Sequence, residues 1–158
     1  MLKLADAHIA CGEPAKALPL VAAVLKREPN SFEPHRSRAE ALLMLGNLDE
    51  AEPEIALLLQ KDPANPSFNI MMWRIFSYRG RDAEARQLIQ KLAETSPELG
   101  AFFLPLIDGL YVRHDRAPVL AAFSKGAPGA PVPADVMKTL DRLCPENQPP
   151  AAAGGTGS

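Results

Sequence analysis

The sequence predicts an all-α protein made of stacked antiparallel helix pairs, because three kinds of landmark residue recur at one spacing. Every step between equivalent landmarks is 34 residues. The landmarks are Gly12, Gly46 and Gly80, then Ala17, Ala51 and Ala85, and then Pro29, Pro63 and Pro97. A period shared by three independent landmarks is typical of helical repeats, in which neighbouring helix pairs bury one another's apolar faces.

This period divides the chain into repeats and a terminal helix. The predicted segments are three repeats over residues 1–31, 32–65 and 66–99, a degenerate repeat over 100–125, a linker over 126–133, a helix over 134–144 and a disordered tail over 145–158. Counting one period back from Phe32 places the natural start of the first repeat before Met1. We therefore expect either an abrupt start or a piece of a longer protein.

Glycine marks the turn inside each full repeat, and proline ends the second helix because the residue before a proline avoids the helical region. The first repeat predicts a helix that ends at Gly12 and a second helix from about Pro14 to Arg27. In the third repeat, Asp82 is placed to cap the second helix.

The pattern weakens in the fourth repeat. Its first helix is predicted over Gly100–Val112 and its short second helix over Arg116–Lys125. The turn position carries His114 instead of glycine, and the alanine position carries Val119. We therefore expect a degenerate helix pair here.

The terminal helix, predicted over Ala134–Leu143, carries Val136, Met137, Leu140 and Leu143 on one side. The last repeat of such a stack exposes the face that a next repeat would cover. We therefore expect this helix to cap the fourth pair. The alternative is that it occupies the partner groove and competes with the partner.

Composition and charge exclude several classes of protein. The chain has 158 residues, 47% of them hydrophobic, and a net charge of -2, which argues against a nucleic-acid-binding domain. The most apolar stretch, Gly100–Val112, is too short to span a bilayer and contains Pro105 and Asp108. No secretory signal is visible, and Cys11 and Cys144 fit two reduced thiols better than a disulfide. We expect a cytoplasmic protein without a membrane span.

The repeat resembles the tetratricopeptide repeat family through Gly46, Ala51 and Pro63 and their equivalents one period away. The resemblance covers Met1–Leu99 well and Gly100–Lys125 weakly. Three positions depart from the family pattern. The position of a large aromatic residue early in the first helix carries Met1, His35 and Asn69 in the three repeats. Arg38 replaces an apolar residue, and Trp73 replaces a small one.

The resemblance implies a right-handed superhelix whose first helices line a concave groove for an amphipathic helix or an extended peptide. Helical spacing carries that groove onto Arg36, Glu40, Leu43, Met44, Ile70, Met71, Arg74, Tyr78, Leu104, Asp108 and Tyr111, together with neighbours such as Asp6, Glu33, Ser37 and Ser77. For Leu43, Ile70 and Leu104, the alternative assignment is the core between helices.

One ligand of the family is excluded by the residues present. A subset of the family holds the C-terminal carboxylate of heat-shock chaperones with lysines, asparagines and an arginine. The corresponding positions are Leu2, Asp6, Ser37, Ser67 and Met71, which do not supply those donors.

The sequence contains no pattern of catalytic, metal-ligating or cofactor-binding residues. The three histidines stand alone, the cysteines lack CxxC spacing, and no phosphate-binding loop occurs. His114 and Asp115 favour loop polarity over an oriented imidazole. The arginines 74, 79, 81 and 86 form a basic cluster that is either solvated surface or a site for an acidic segment.

Two functions are compatible with this pattern. The first is an interaction scaffold or adaptor that binds a segment of a protein partner, with a weak compositional hint of a bacterial source. The second is the helper region of a larger enzyme or regulator whose catalytic part lies outside this chain. The upstream coding sequence would distinguish them. The oligomeric state and the partner are not indicated by the sequence.

Overall fold

The computed structural model describes residues 1–126, 129 and 131–146, and all regular structure in this part of the chain is helical. The helices are α1 Leu2–Ala10, α2 Pro14–Leu25, α3 Phe32–Met44, α4 Leu48–Lys61, α5 Pro66–Tyr78, α6 Asp82–Ala93, α7 Pro97–Asp108, α8 Arg116–Gly126 and α9 Ala134–Leu143, with a π-helical turn Gly109–Arg113 after α7. The predicted all-α helical-repeat fold is confirmed.

The chain forms two compact units, which we call the N-terminal unit, Met1–Ile75, and the C-terminal unit, Phe76–Ser158. Three linker residues, 127, 128 and 130, and residues 147–158 of the predicted tail lie outside the described residues. No helix in the described ranges is long and apolar enough to cross a membrane.

The 34-residue period sets where the second helices begin. They begin at Pro14, Leu48, Asp82 and Arg116, which are spaced by one period throughout. The turn before each one contains a residue with positive φ. These are Gly12 at 75°, Gly46 at 74°, Gly80 at 72° and His114 at 53°. The fourth pair therefore keeps the turn geometry of the others, even though its turn residue is not glycine.

The first helix of the fourth pair begins earlier than predicted. We expected Gly100 as its first residue, but α7 starts at Pro97. Ser96 caps this helix, because its hydroxyl oxygen accepts a hydrogen bond from the Leu99 backbone N–H at 3.2 Å. Proline is favoured in the first turn, where no backbone donor is required. The start of α7 is therefore set by the local cap at Ser96 and not by the 34-residue period.

The landmark alanines lie at the centre of the N-terminal unit. Ala17 and Ala51 are fully buried, and so are Val21 and Ile55 one turn further along their helices. Helix α2 packs against both α1 and α3, and α3 packs against α4. A small residue at these positions lets neighbouring helices approach closely.

A polar cluster joins α3 to α4 where the family pattern expects apolar residues. Glu54 on α4 contacts His35 Nδ1 at 2.6 Å and Arg38 Nη1 at 3.1 Å. The other ring nitrogen of His35 lies 2.9 Å from the Pro29 carbonyl oxygen. The polar substitutions at His35 and Arg38 are therefore matched by a nearly buried carboxylate. Trp73, the other departure, is accommodated as a buried residue.

The C-terminal unit accommodates a larger residue at the landmark position. Ala85 and Val119 are both fully buried. Val119 packs on Gly109, where an added Cβ would lie 3.3 Å from Val119 Cγ2 and 2.9 Å from the Asp115 carbonyl oxygen. The absence of a side chain at Gly109 therefore allows α8 to start against the π-helical turn.

Candidate partner-binding surface

The predicted groove residues are exposed to different degrees. Leu43 is only 4% exposed, so it belongs to the core and its assignment to a binding surface is wrong. The same helix turns its next residue, Met44, outward at 46% exposure. Leu104 is 56% exposed and Ile70 is half-buried, so neither has the full burial of a core residue.

On the N-terminal unit, Arg36 is surrounded by carboxylates. Its guanidinium nitrogens lie 3.0 Å from Glu33 Oε2, 3.4 Å from Glu40 Oε2 and 3.8 Å from Asp6 Oδ1. Arg36 therefore does not present an open positive charge. Three carboxylates around one guanidinium leave this surface with an excess of negative charge.

Ser37 fixes the position of Asp6 between two helices. Its hydroxyl donates to Asp6 Oδ1 at 2.6 Å and is also 3.1 Å from the Glu33 carbonyl oxygen. Ser37 is fully buried, so it positions an acidic side chain instead of contacting a partner.

Equivalent positions of the four first helices share their chemistry. One position is charged in every repeat and half-buried: Asp6, Glu40, Arg74 and Asp108. The position four residues later is apolar or aromatic in every repeat and exposed: Ala10, Met44, Tyr78 and Val112. Sequence reasoning missed Ala10 and Val112, although the 34-residue spacing would have identified both.

On the C-terminal unit, the predicted residues are partly tied to neighbours. The Tyr111 hydroxyl lies 3.2 Å from the hydroxyl of Ser77, which is buried. Asp108 pairs with Arg113 at 2.5 Å. Leu104 and Tyr78 remain the exposed members.

Helix α9 contacts the third helix pair at an edge formed by Ser77, Tyr78 and Asp82, which we call the α5–α6 edge. Lys138 Nζ lies 3.3 Å from the Tyr78 hydroxyl and 5.2 Å from its ring centroid. Arg142 donates to both carboxylate oxygens of Asp82, at 2.5 and 2.7 Å, and to the Ser77 carbonyl at 2.6 Å.

The sequence had suggested that Asp82 caps α6, and this prediction is wrong. Asp82 is the first residue of α6, and Arg81 holds the cap position without a side-chain cap bond. Its carboxylate is committed to Arg142, and this hydrogen bond raises the pKa of the Arg142 guanidinium above its usual value.

The same helix also contacts the fourth pair. His114 Nδ1 donates to the Leu143 carbonyl at 2.8 Å, Arg116 pairs with Asp141 at 2.9 Å, and the Cys144 thiol lies 3.8 Å from the Gly109 carbonyl. Helix α9 thus contacts both the fourth pair and Tyr78, one of the residues that the sequence had assigned to the groove.

One arginine of the basic cluster, Arg81, is engaged in contacts with neighbouring side chains. Arg81 donates to Glu84 at 2.7 and 2.5 Å, and its guanidinium lies 4.2 Å from the Phe76 ring centroid. This hydrogen bond lowers the pKa of the Glu84 carboxyl. Arg81 therefore supports the first turn of α6.

The candidate reactive side chains in the described part of the chain are the histidines, the cysteines and the acidic residues. No group of three or more His, Cys, Asp or Glu side chains there could hold a metal ion. Asp115 Oδ1 accepts from the Ala117 backbone N–H at 2.9 Å, so it does not orient the imidazole of His114. Cys11 is exposed and Cys144 is buried, and burial raises the pKa of the Cys144 thiol.

A pocket of about 350 Å³ lies beside the start of α8. It is lined by His114, Asp115, Arg116, Ala117, Leu120, Pro145 and Glu146. None of these residues is a serine, threonine or cysteine nucleophile.

Residues 2–66 match the family model described as Tetratricopeptide repeat. This match supports the prediction from the sequence period and covers the first two helix pairs. The comparison with curated proteins gave no match, and neither did the comparison with solved structures. The all-helical fold and this match indicate a helical-repeat protein, and tetratricopeptide repeats generally mediate protein–protein interactions.

Proposed function

We propose that the chain is an adaptor that binds a peptide or helical segment of a protein partner on the exposed side of its first helices. The observation that carries the proposal is the repeated pair of positions on those helices. One is charged and the other is apolar and exposed in all four repeats. A helix face that alternates apolar anchors with charges suits a partner segment that presents side chains at regular spacing.

The candidate residues fall on each unit separately. The N-terminal unit contributes Asp6, Glu33, Arg36, Glu40, Met44, Ile70, Met71 and Arg74, and the C-terminal unit contributes Tyr78, Leu104, Asp108 and Tyr111. Met44 and Leu104 are the clearest anchors, because each leaves about half of a large apolar side chain in water. A single exposed apolar side chain is tolerated on any surface, so the recurrence of exposed residues at the positions equivalent to Met44, namely Ala10, Tyr78 and Val112, is what supports a binding role.

The test is affinity capture from a lysate of the source cells with three versions of the full chain. The surface variant is Met44→Ser, Arg74→Glu, Leu104→Ser. The matched control is Arg27→Glu, Arg86→Glu, which changes exposed charges outside the first helices. Circular dichroism confirms equal helix content before capture.

We expect the control to retain the proteins captured by the wild-type chain and the surface variant to lose them. Equal capture by all three versions would contradict the proposal. Tyr78 is left unchanged in this design so that the contact with α9 is not disturbed.

A further inference from the structure

Helix α9 shows which chemistry the α5–α6 edge accepts. The edge offers three groups that attract cations, namely the Tyr78 ring, the Asp82 carboxylate and the Ser77 carbonyl. Lys138 and Arg142 are four residues apart, so they lie on one side of α9 and reach these groups together. A guanidinium that donates to both oxygens of a carboxylate is among the stronger and more specific ion pairs.

The polar contacts of α9 are accessible to solvent. The side chains of Arg142 and Asp82 are 38% and 31% exposed. Lys138 and Tyr78 are both exposed as well. Water and competing charges can therefore reach the contact, which is expected to weaken with salt.

Helix α9 depends on its docking site to remain folded. It has ten residues, and a helix of that length is marginal in water by itself. Its Val136, Leu140 and the following Cys144 are buried inside the C-terminal unit, to which α9 belongs. Short elements of this kind open at a lower free energy than the core helices that they cover.

We propose that α9 is an intramolecular occupant of part of the partner site. The partner segment is an amphipathic helix with Lys or Arg at positions i and i+4, and it reaches Tyr78 and Asp82 by replacing α9. This inference rests on the proposed function, because Tyr78 belongs to the candidate surface. It goes beyond that function by specifying the charge pattern of the partner segment and by stating that α9 competes with this segment for the same residues.

The competition lowers the apparent affinity of the partner. A tethered segment acts at a high effective concentration, of about millimolar order for a short linker. A partner binds only the fraction of molecules in which α9 has left, so weakening α9 raises its apparent affinity.

The first test measures binding of a fluorescein-labelled synthetic peptide of residues 131–146 to the full chain by fluorescence anisotropy. The loosened variant is Lys138→Gln, Arg142→Gln. The matched control is Arg86→Gln, Lys91→Gln, which removes two exposed cations from α6. A second peptide carries Glu in place of both Lys138 and Arg142.

We expect the loosened variant to bind the native peptide at least tenfold more tightly than the wild-type chain and the control do. Asp82→Asn, added to the loosened variant, should remove that gain. Equal affinity for the wild-type and loosened chains would overturn the proposal, and so would equal binding of the charge-reversed peptide.

The second test uses the wild-type chain alone, so that it does not depend on folding of a variant. Native-state hydrogen exchange should show α9 amides opening at a lower free energy than α7 amides. Exchange of α9 only through global unfolding would overturn the proposal. The lysate experiment depends on Met44, Arg74 and Leu104, so failure of the adaptor function and failure of this inference give different results.

Discussion

At the scale of single residues, the repeat position decides conformation more strongly than the residue type. His114 adopts φ of 53°, close to the glycines at the three equivalent turns. A non-glycine residue in this region is disfavoured by roughly 1–2 kcal/mol, so other contacts must hold it there. The hydrogen bond from its ring to the Leu143 carbonyl is one such contact.

Burial at a landmark position predicts a clear effect of overpacking. Ala51, on α4, is fully buried. Ala51→Leu should lower the free energy of unfolding by roughly 1–3 kcal/mol, because the added atoms have no space. Urea denaturation measures this change. The control, Ala22→Leu at an exposed position of α2, should stay within about 0.5 kcal/mol of wild type. Equal midpoints for both variants would contradict the packing described here.

At the scale of helices, the period predicted some boundaries and missed others. It gave the starts of the second helices, because the turn and the first helical residue repeat together. It missed the start of α7, because the cap at Ser96 acts locally. It also missed the pair of Arg142 and Asp82, since those residues are 60 apart in sequence and no spacing rule connects them.

The polar cluster between α3 and α4 should contribute to the stability of the N-terminal unit. The Glu54 side chain is 13% exposed and serves both His35 and Arg38. Glu54→Gln should lower the free energy of unfolding by about 1–3 kcal/mol, because it leaves the nearly buried His35 ring poorly paired and weakens the contact with Arg38, whose side chain is 37% exposed. Thermal unfolding and urea denaturation measure this change.

Glu50→Gln serves as the control for that variant. Glu50 also contacts Arg38, at 3.5 Å, but its side chain is 55% exposed. An exposed ion pair contributes little, so this variant should remain within about 0.5 kcal/mol of wild type. If both variants behaved alike, the cluster would not be the stabilising feature inferred from its burial.

At the scale of the whole molecule, charge is unequally divided between the units. Residues 1–75 contain eight Lys or Arg and ten Asp or Glu, whereas residues 76–158 contain nine of each. The net charge of -2 therefore resides in the N-terminal unit. The sequence left Leu43 open between the groove and the core, because the period identifies repeated positions but not how far each helix is rotated toward the core.

Removing residues 134–158 should affect the whole chain through its C-terminal unit. The truncation removes the buried side chains of Val136 and Leu140 and uncovers the apolar surface beneath them. We expect a lower melting temperature and concentration-dependent association, measured by circular dichroism and analytical ultracentrifugation. An unchanged melting temperature with a monomeric chain would contradict the view that α9 covers this surface.

The hydrogen bond between the His114 ring and the Leu143 carbonyl has a consequence for folding of the chain during translation. The three turns that contain glycine need no stabilising contact from a distant residue, because glycine adopts positive φ without strain. His114 instead receives its hydrogen-bond acceptor from a residue 29 positions further along. As the polypeptide emerges from the ribosome, the first three turns can settle before translation has reached α8. The fourth turn must wait for α9 to be translated before it gains this contact.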